Sequence, residues 1–132
     1  MAITYEAAVV ISFPAGANLS AFQFYPVALT TSASYPQGAL GTIGATTTKP
    51  FGVLQDAPDT AGDMAAVVVL GPTKCVAYGG TINTGDSLGV AATGEAAATT
   101  TDNRWILGDA LETVTDAGSN AIINVNVDVH RY

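Results

Sequence analysis

"FGVLQDAPDTAGDMAAVVVLG" occupies Phe51 to Gly71, and 56 residues further on "LGDALETVTDAGSNAIINVNV" occupies Leu107 to Val127. Gly52 falls on Gly108, Ala61 on Ala117, Gly62 on Gly118, Ala65 on Ala121 and Val69 on Val125, while Val67 falls on Ile123. Each copy reads as a short strand, a turn with Ala-Gly, and a longer apolar strand. A hairpin or short sheet with one apolar face cannot bury that face against water by itself. Two similar halves packed on each other can. The repeat therefore predicts an all-β domain, a small single-domain β-barrel or β-sandwich, made of two related half-units in a pseudo-twofold repeat.

Working outward, a weaker echo sets "AGANL" (Ala15 to Leu19) on "TGDSL" (Thr84 to Leu88) at a spacing of 69, which implies 13 extra residues in the first half, around the Tyr35 to Thr48 loop. "AITYEAAVVISF" alternates Ile3, Tyr5, Ala7, Val9 and Ile11 with Thr4, Glu6, Ala8, Val10 and Ser12, the period of a strand, ended by Pro14 and Gly16. Phe22, Phe24, Tyr25, Val27 and Leu29 form the densest aromatic cluster. Pro26 inside it implies an edge strand, a bulge, or two strands meeting at a bend. Ala65 to Leu70 reads as a buried strand, "PTKCVAYGGTI" as another short one, and Thr93-Gly94-Glu95 as a hairpin. In the final strand Ile123, Val125, Val127 and Val129 share one face, and Asn124, Asn126, Asp128 and His130 the other. Little or no helix is expected. The best candidate, Ala57 to Met64, amounts to a turn or two. About eight short strands separated by Gly, Pro, Asn and Asp turns complete the all-β reading.

Length and composition bound the rest. A chain of 132 residues is one ordinary domain, taken here as residues 1–132 with an extended N-terminal arm over about residues 1–5. It can bury a sizeable core without a staple, and the single Cys75 cannot form an internal one. Charged residues make up 11% of the chain, against a usual share of about a quarter. That suits a β-rich domain with much of its surface against something else. The net charge of −7, from 11 acids and four bases spread along the sequence (Lys49, Lys74, Arg104, Arg131), argues against nucleic acid and against an anionic membrane surface as partners. Proline and glycine interrupt every apolar run, and no basic segment precedes an apolar core near the start, so neither a membrane-spanning helix nor a signal peptide is expected. The chain reads as soluble, unprocessed and made in the cytoplasm.

No catalytic constellation appears, and no enzyme is expected. His130 is the sole histidine, without a nucleophile or metal-ligand set around it; it reads as a strand residue facing solvent or an interface. Cys75 beside Lys74 reads as a buried small hydrophobe rather than a reactive thiol. Asp56, Asp59 and Asp63 lack the central Gly and terminal Glu of a calcium loop and read as turn formers, with Glu112 and Asp116 in the matching place. One tryptophan, Trp105, beside Arg104, gives little sign of a sugar cleft for paired carboxylates. The tight turns also resemble those of biotinyl and lipoyl carrier domains, but the Thr93-Gly94 hairpin carries Glu95 and no lysine. The aromatic group Phe22, Phe24 and Tyr25, with Tyr35 not far away, suits core or interface equally.

"ISFPAGANLSAFQFYPVAL", then "PFGVLQDAP", "AGDMAAVVVLGPTKCVAYGGTINTGDSLGV", "ILGDALE" and a final apolar strand follow one another in an order that resembles the small capsid-decorating (head cement) proteins of tailed bacteriophages. The resemblance spans nearly the whole chain and rests on phrase order. It implies a β domain on the outer surface of the virion capsid, made in the host bacterial cytoplasm. Such a protein binds the major capsid protein, associates with itself as a homotrimer and clamps neighbouring capsomers, with no cofactor and no catalytic residue. Another virion part, a head-fibre base or a minor tail or adaptor protein, is the alternative. Contacts are expected from Ala2, Ile3, Thr4 and Tyr5, since a terminus is often ordered only by a partner, and from Phe22, Phe24 and Tyr25.

Overall fold

The apolar run that starts at Ala65 does not stop at Gly71. In the computed structural model, which describes residues 8–31, 38–115, 118 and 121–132, it continues through Pro72 as one strand of 14 residues. Gly71 carries a φ of 103°, a left-handed conformation that costs glycine little, and there the strand passes from one half of the molecule to the other. The separate strand expected over "PTKCVAYGGTI" is thus the second part of this one. The described residues form nine strands: β1 (Val9–Pro14), β2 (Pro26–Thr30), β3 (Ala39–Thr42), β4 (Gly52–Leu54), β5 (Met64–Ala77), β6 (Ser87–Val90), β7 (Ala96–Ala98), β8 (Trp105–Ala110) and β9 (Ala121–Arg131). No helix occurs among them, and the segment 57–63 is irregular backbone with one turn at Ala61-Gly62, ahead of Met64 in β5. The all-β reading stands.

Two rings of strands share β5. In the first, β1 and β4 flank the Met64 end of β5, β2 pairs with β4, and β3 with β2. A single parallel bridge, Ala15 to Leu40, joins the end of β1 to β3. In the second, β9 pairs with the Ala77 end of β5, β8 with β9, β6 with β8 and β7 with β6. Here too one parallel bridge, Ala77 to Ala96, closes the ring. Each ring is thus closed at a single bridge rather than along a continuous ladder.

The hydrogen bonds fix which residues correspond. Leu19 donates to the Pro58 carbonyl and Ile82 to the Val114 carbonyl; Phe24 donates to Leu54 and Gly85 to Ala110; Gly16 donates to Leu40 and Tyr78 to Ala96. All seven residues of the first half's core (Ala15, Leu19, Val27, Leu40, Leu54, Ala65 and Val67) have partners by this correspondence in the second half's core: Ala77, Ile82, Leu88, Ala96, Ala110, Ile123 and Val125. The start of β5 and all of β9 are equivalent, yet run antiparallel, as a twofold relation requires. Leu70 pairs directly with Asp128, its own equivalent, so the pseudo-twofold axis passes between them.

The structure corrects two registers. The offset of 56 holds from β4 to β8, but β5 maps onto β9 at 58: Val67 corresponds to Val125, not Ile123. A slip of two leaves every side chain on its own face because the strand period is two. The "AGANL"/"TGDSL" match is out of place. Leu19 answers to Ile82, while Leu88 answers to Val27. The expected 13-residue insertion shrinks accordingly, and its main part lies between β2 and β3, where the offset falls from 61 to 56.

Close approach of backbone explains the repeated glycines. A Cβ on Gly52 would lie 2.3 Å from the Val68 carbonyl oxygen, and one on Gly108 would lie 1.9 Å from that of Asn126. Both sit where a short strand crosses its long partner at the core.

Candidate interface

The aromatic segment divides at Pro26. Pro26 begins β2, a place where a missing N–H is tolerated. Phe22 to Tyr25 forms the turn before it, closed by the Tyr25 N–H on the Phe22 carbonyl. Phe24 holds a φ of 65° where its equivalent, Gly85, holds 89°. A phenylalanine there is strained, at roughly 1–3 kcal/mol. Three bonds fix it: the turn, its N–H to Leu54, and its carbonyl to the Val76 N–H of β5. Phe22 packs on the first core and meets Tyr25 edge-on at 5.2 Å. Burial, aided by the nearby Glu95 carboxylate, raises the Tyr25 pKa above its ordinary value. Glu95 is itself buried and accepts a hydrogen bond from the Thr93 hydroxyl. Ala28, Ile43 and Val90 form a small third cluster where the halves meet. The aromatic turn therefore belongs largely to the packing of the first half and its junction with β5. All three rings are only partly buried. Ala2, Ile3, Thr4, Tyr5 and Tyr35 lie outside the described residues.

Val9, Val10 and Leu70 are exposed large apolar residues. Val9 pairs with Leu70 and Val10 with Val68, so the irregularity leaves Val69 as an extra residue on β5, beside the pseudo-twofold axis. Met64 and Ile122, equivalent at the offset of 58, are both exposed.

Three of the four bases gather in space, while Lys74 lies apart on β5. Lys49 Nζ lies 5.0 Å from the centroid of the Trp105 ring, and the Arg131 guanidinium 4.8 Å from it. Arg104 precedes Trp105. One of its terminal nitrogens donates to the Val90 carbonyl, and its Nε is buried without a partner. Sequence reading by residue type missed this grouping. The offset of 56 that maps β4 onto β8 also sets Lys49 on Trp105, but equivalence in a repeat does not imply contact, so no signal in the sequence pointed to the grouping.

The remaining titratable groups are structural. Cys75 is fully buried, and burial pushes its thiol pKa well up. The exposed His130 donates through Nδ1 to the Asp128 carbonyl at 2.6 Å. Asp56 accepts from the Ala66 N–H, and Glu112, its equivalent, from the Asn124 N–H at 2.6 Å. Both carboxylates hold the turn between the paired strands of their half, and Asp116 lies outside the described residues. Among the described residues no group of three His, Cys, Asp or Glu side chains is placed to hold a metal ion. A shallow groove of about 360 Å³ lies over Leu19, Phe22 and Leu40 and contains no titratable side chain.

This architecture has a solved counterpart. The fold is similar to that of a phage head-fiber base. The crystal structure of the head fiber gp8.5 N base in bacteriophage phi29 matches with a TM-score of 0.65, covering 91% of this chain and 93% of that chain at 20% sequence identity. The likeness is one of fold, and it takes in both rings, because little of either chain falls outside it. No protein-family model matches the sequence, and no curated protein does.

Proposed function

We propose that this chain is a structural protein of a bacteriophage virion that attaches to the outside of the head. The observation that supports this reading best is the whole-chain likeness of fold to a phage head-fiber base. The order of phrases along the sequence supports the same class of protein. Two finer roles follow. As a cement protein it clamps neighbouring capsomers of the major capsid protein, as a homotrimer, on the outer capsid surface. As a head-fibre base it carries an appendage, the role that the solved counterpart favours.

The physical difference between the roles is linkage. A protein that binds the expanded shell and not the broken one stabilises it by RT ln(1 + [L]/Kd), about 2.7 kcal/mol per site at one hundred times Kd. Many copies on a symmetric lattice raise the effective affinity further through avidity. A fibre base needs only to stay attached.

The test is co-sedimentation with expanded, undecorated heads, followed by heating of the loaded heads. Saturable binding at a fixed ratio to the shell protein is expected. A rise in the temperature of head rupture selects the clamp; binding with no rise selects the fibre base. Protein that stays free, or tracks with tails, refutes attachment to the head.

A further inference from the structure

We propose that Lys49, Trp105 and Arg131 form a docking site for an acidic segment of a partner protein. The naming of that partner as the shell protein rests on the function proposed above. Lys49 comes from the β3–β4 connection of one half, and Trp105 and Arg131 come from β8 and β9 of the other. Three distant parts of the chain thus converge at the pseudo-twofold waist, where equivalent positions 49 and 105 meet. Cation–π attraction at 4.8 and 5.0 Å gathers two positive charges on one ring, where they repel each other. Among the described residues neither cation has an ion pair with a carboxylate, although 11 acids stand against four bases in the chain. Asp102, in the turn before Trp105, is exposed and is likewise not ion-paired.

Both cations are exposed, and the indole is half-buried between them and the sheet. Arginine and lysine held on an aromatic ring have lost much of their side-chain freedom, so a carboxylate that meets them orders little more. Charge complementarity decides the class of partner. A surface that is acidic elsewhere repels nucleic acid and repels a second copy of itself, both of which bring negative charge at long range. A short acidic protein segment can reach one cationic patch without meeting the acidic remainder.

Trp105 is the only tryptophan, so its emission reports on the site alone. The probe is poly-L-glutamate, titrated against the intact protein in low salt, with poly-L-lysine and an oligothymidylate as comparisons. A saturable change of Trp105 emission with poly-L-glutamate is expected, weakened as salt rises. The K49Q/R131Q pair should bind at least about tenfold more weakly, while K74Q, a change at a base remote from the ring, should bind like the unaltered protein. Unchanged circular dichroism of K49Q/R131Q keeps the comparison fair, and R131K, which keeps the charge, should retain most of the affinity. No saturable change, equal binding by K49Q/R131Q, or tighter binding of oligothymidylate would overturn the site. With undecorated heads, K49Q/R131Q should bind more weakly than the unaltered protein. Equal binding there overturns the shell as partner. Absence of binding by the unaltered protein strikes the proposed function instead, and the poly-L-glutamate result still judges the site.

Discussion

Replacing Gly108 by alanine tests the register of β8 on β9 more sharply than any core truncation. The new Cβ would lie 1.9 Å from the Asn126 carbonyl oxygen, 2.8 Å from its carbonyl carbon and 3.0 Å from the Val127 Cα. All three atoms are backbone, so no rotamer change relieves the clash. β9 cannot retreat freely, because its other edge is bonded along most of its length to β5, from Leu70–Asp128 to Ala77–Ala121. Relief requires opening the β8–β9 ladder or bending the shared strand. Overpacking of a fixed core costs typically 1–3 kcal/mol, and a backbone obstacle belongs at the upper end, about 3 kcal/mol. For a domain of this size about 4 °C of melting temperature goes with each kcal/mol, so G108A should melt about 12 °C lower. Gly44 and Gly80, with open space around a built Cβ and no left-handed φ, supply the controls. Alanine there should be neutral or stabilise by up to about 1 kcal/mol. Thermal denaturation followed by circular dichroism decides it. A G108A protein melting within about 2 °C of the parent would refute the register of β8 on β9 and the explanation of the repeated glycine.

Three further outcomes follow from the same geometry. Phe22→Ser should lower stability to urea by about 2 kcal/mol, because Phe22 packs on the first core and against Tyr25; a loss below about 0.5 kcal/mol would mark it as a free surface side chain. Since burial raises the Tyr25 pKa from 10.0, the folded state holds its phenolic proton more tightly than the unfolded chain does. The associated stability is complete below pH 10.0 and falls as pH climbs through the raised value; urea titrations at pH 9 and pH 11 should show a smaller loss for Tyr25→Phe than for the parent, and equal losses would remove the assigned cause. Cys75, buried and held as a thiol, should react with a thiol reagent only at the rate of opening, and immediate labelling of the folded protein would contradict its placement.

What the sequence by itself determined is the local pattern and its recurrence. Period-two alternation placed Ile123, Val125 and Val127 inward. Gly94 and the Thr93–Glu95 turn marked the β6–β7 hairpin, and the twin phrases announced two related halves, because each half must solve the same burial problem with the same kind of strand. Tertiary structure decided the rest. Whether Gly71-Pro72 breaks a strand or bends it depends on what pairs with either side, and here β1 and β4 hold one side while β9 holds the other. The true register of the repeat was invisible to matching because a two-residue slip preserves every face. The convergence of Lys49, Arg131 and Trp105 depends on long-range closure, which brings together residues 26 and 56 positions apart in the chain. Composition counts charges, but only the closed rings settle which of them become neighbours.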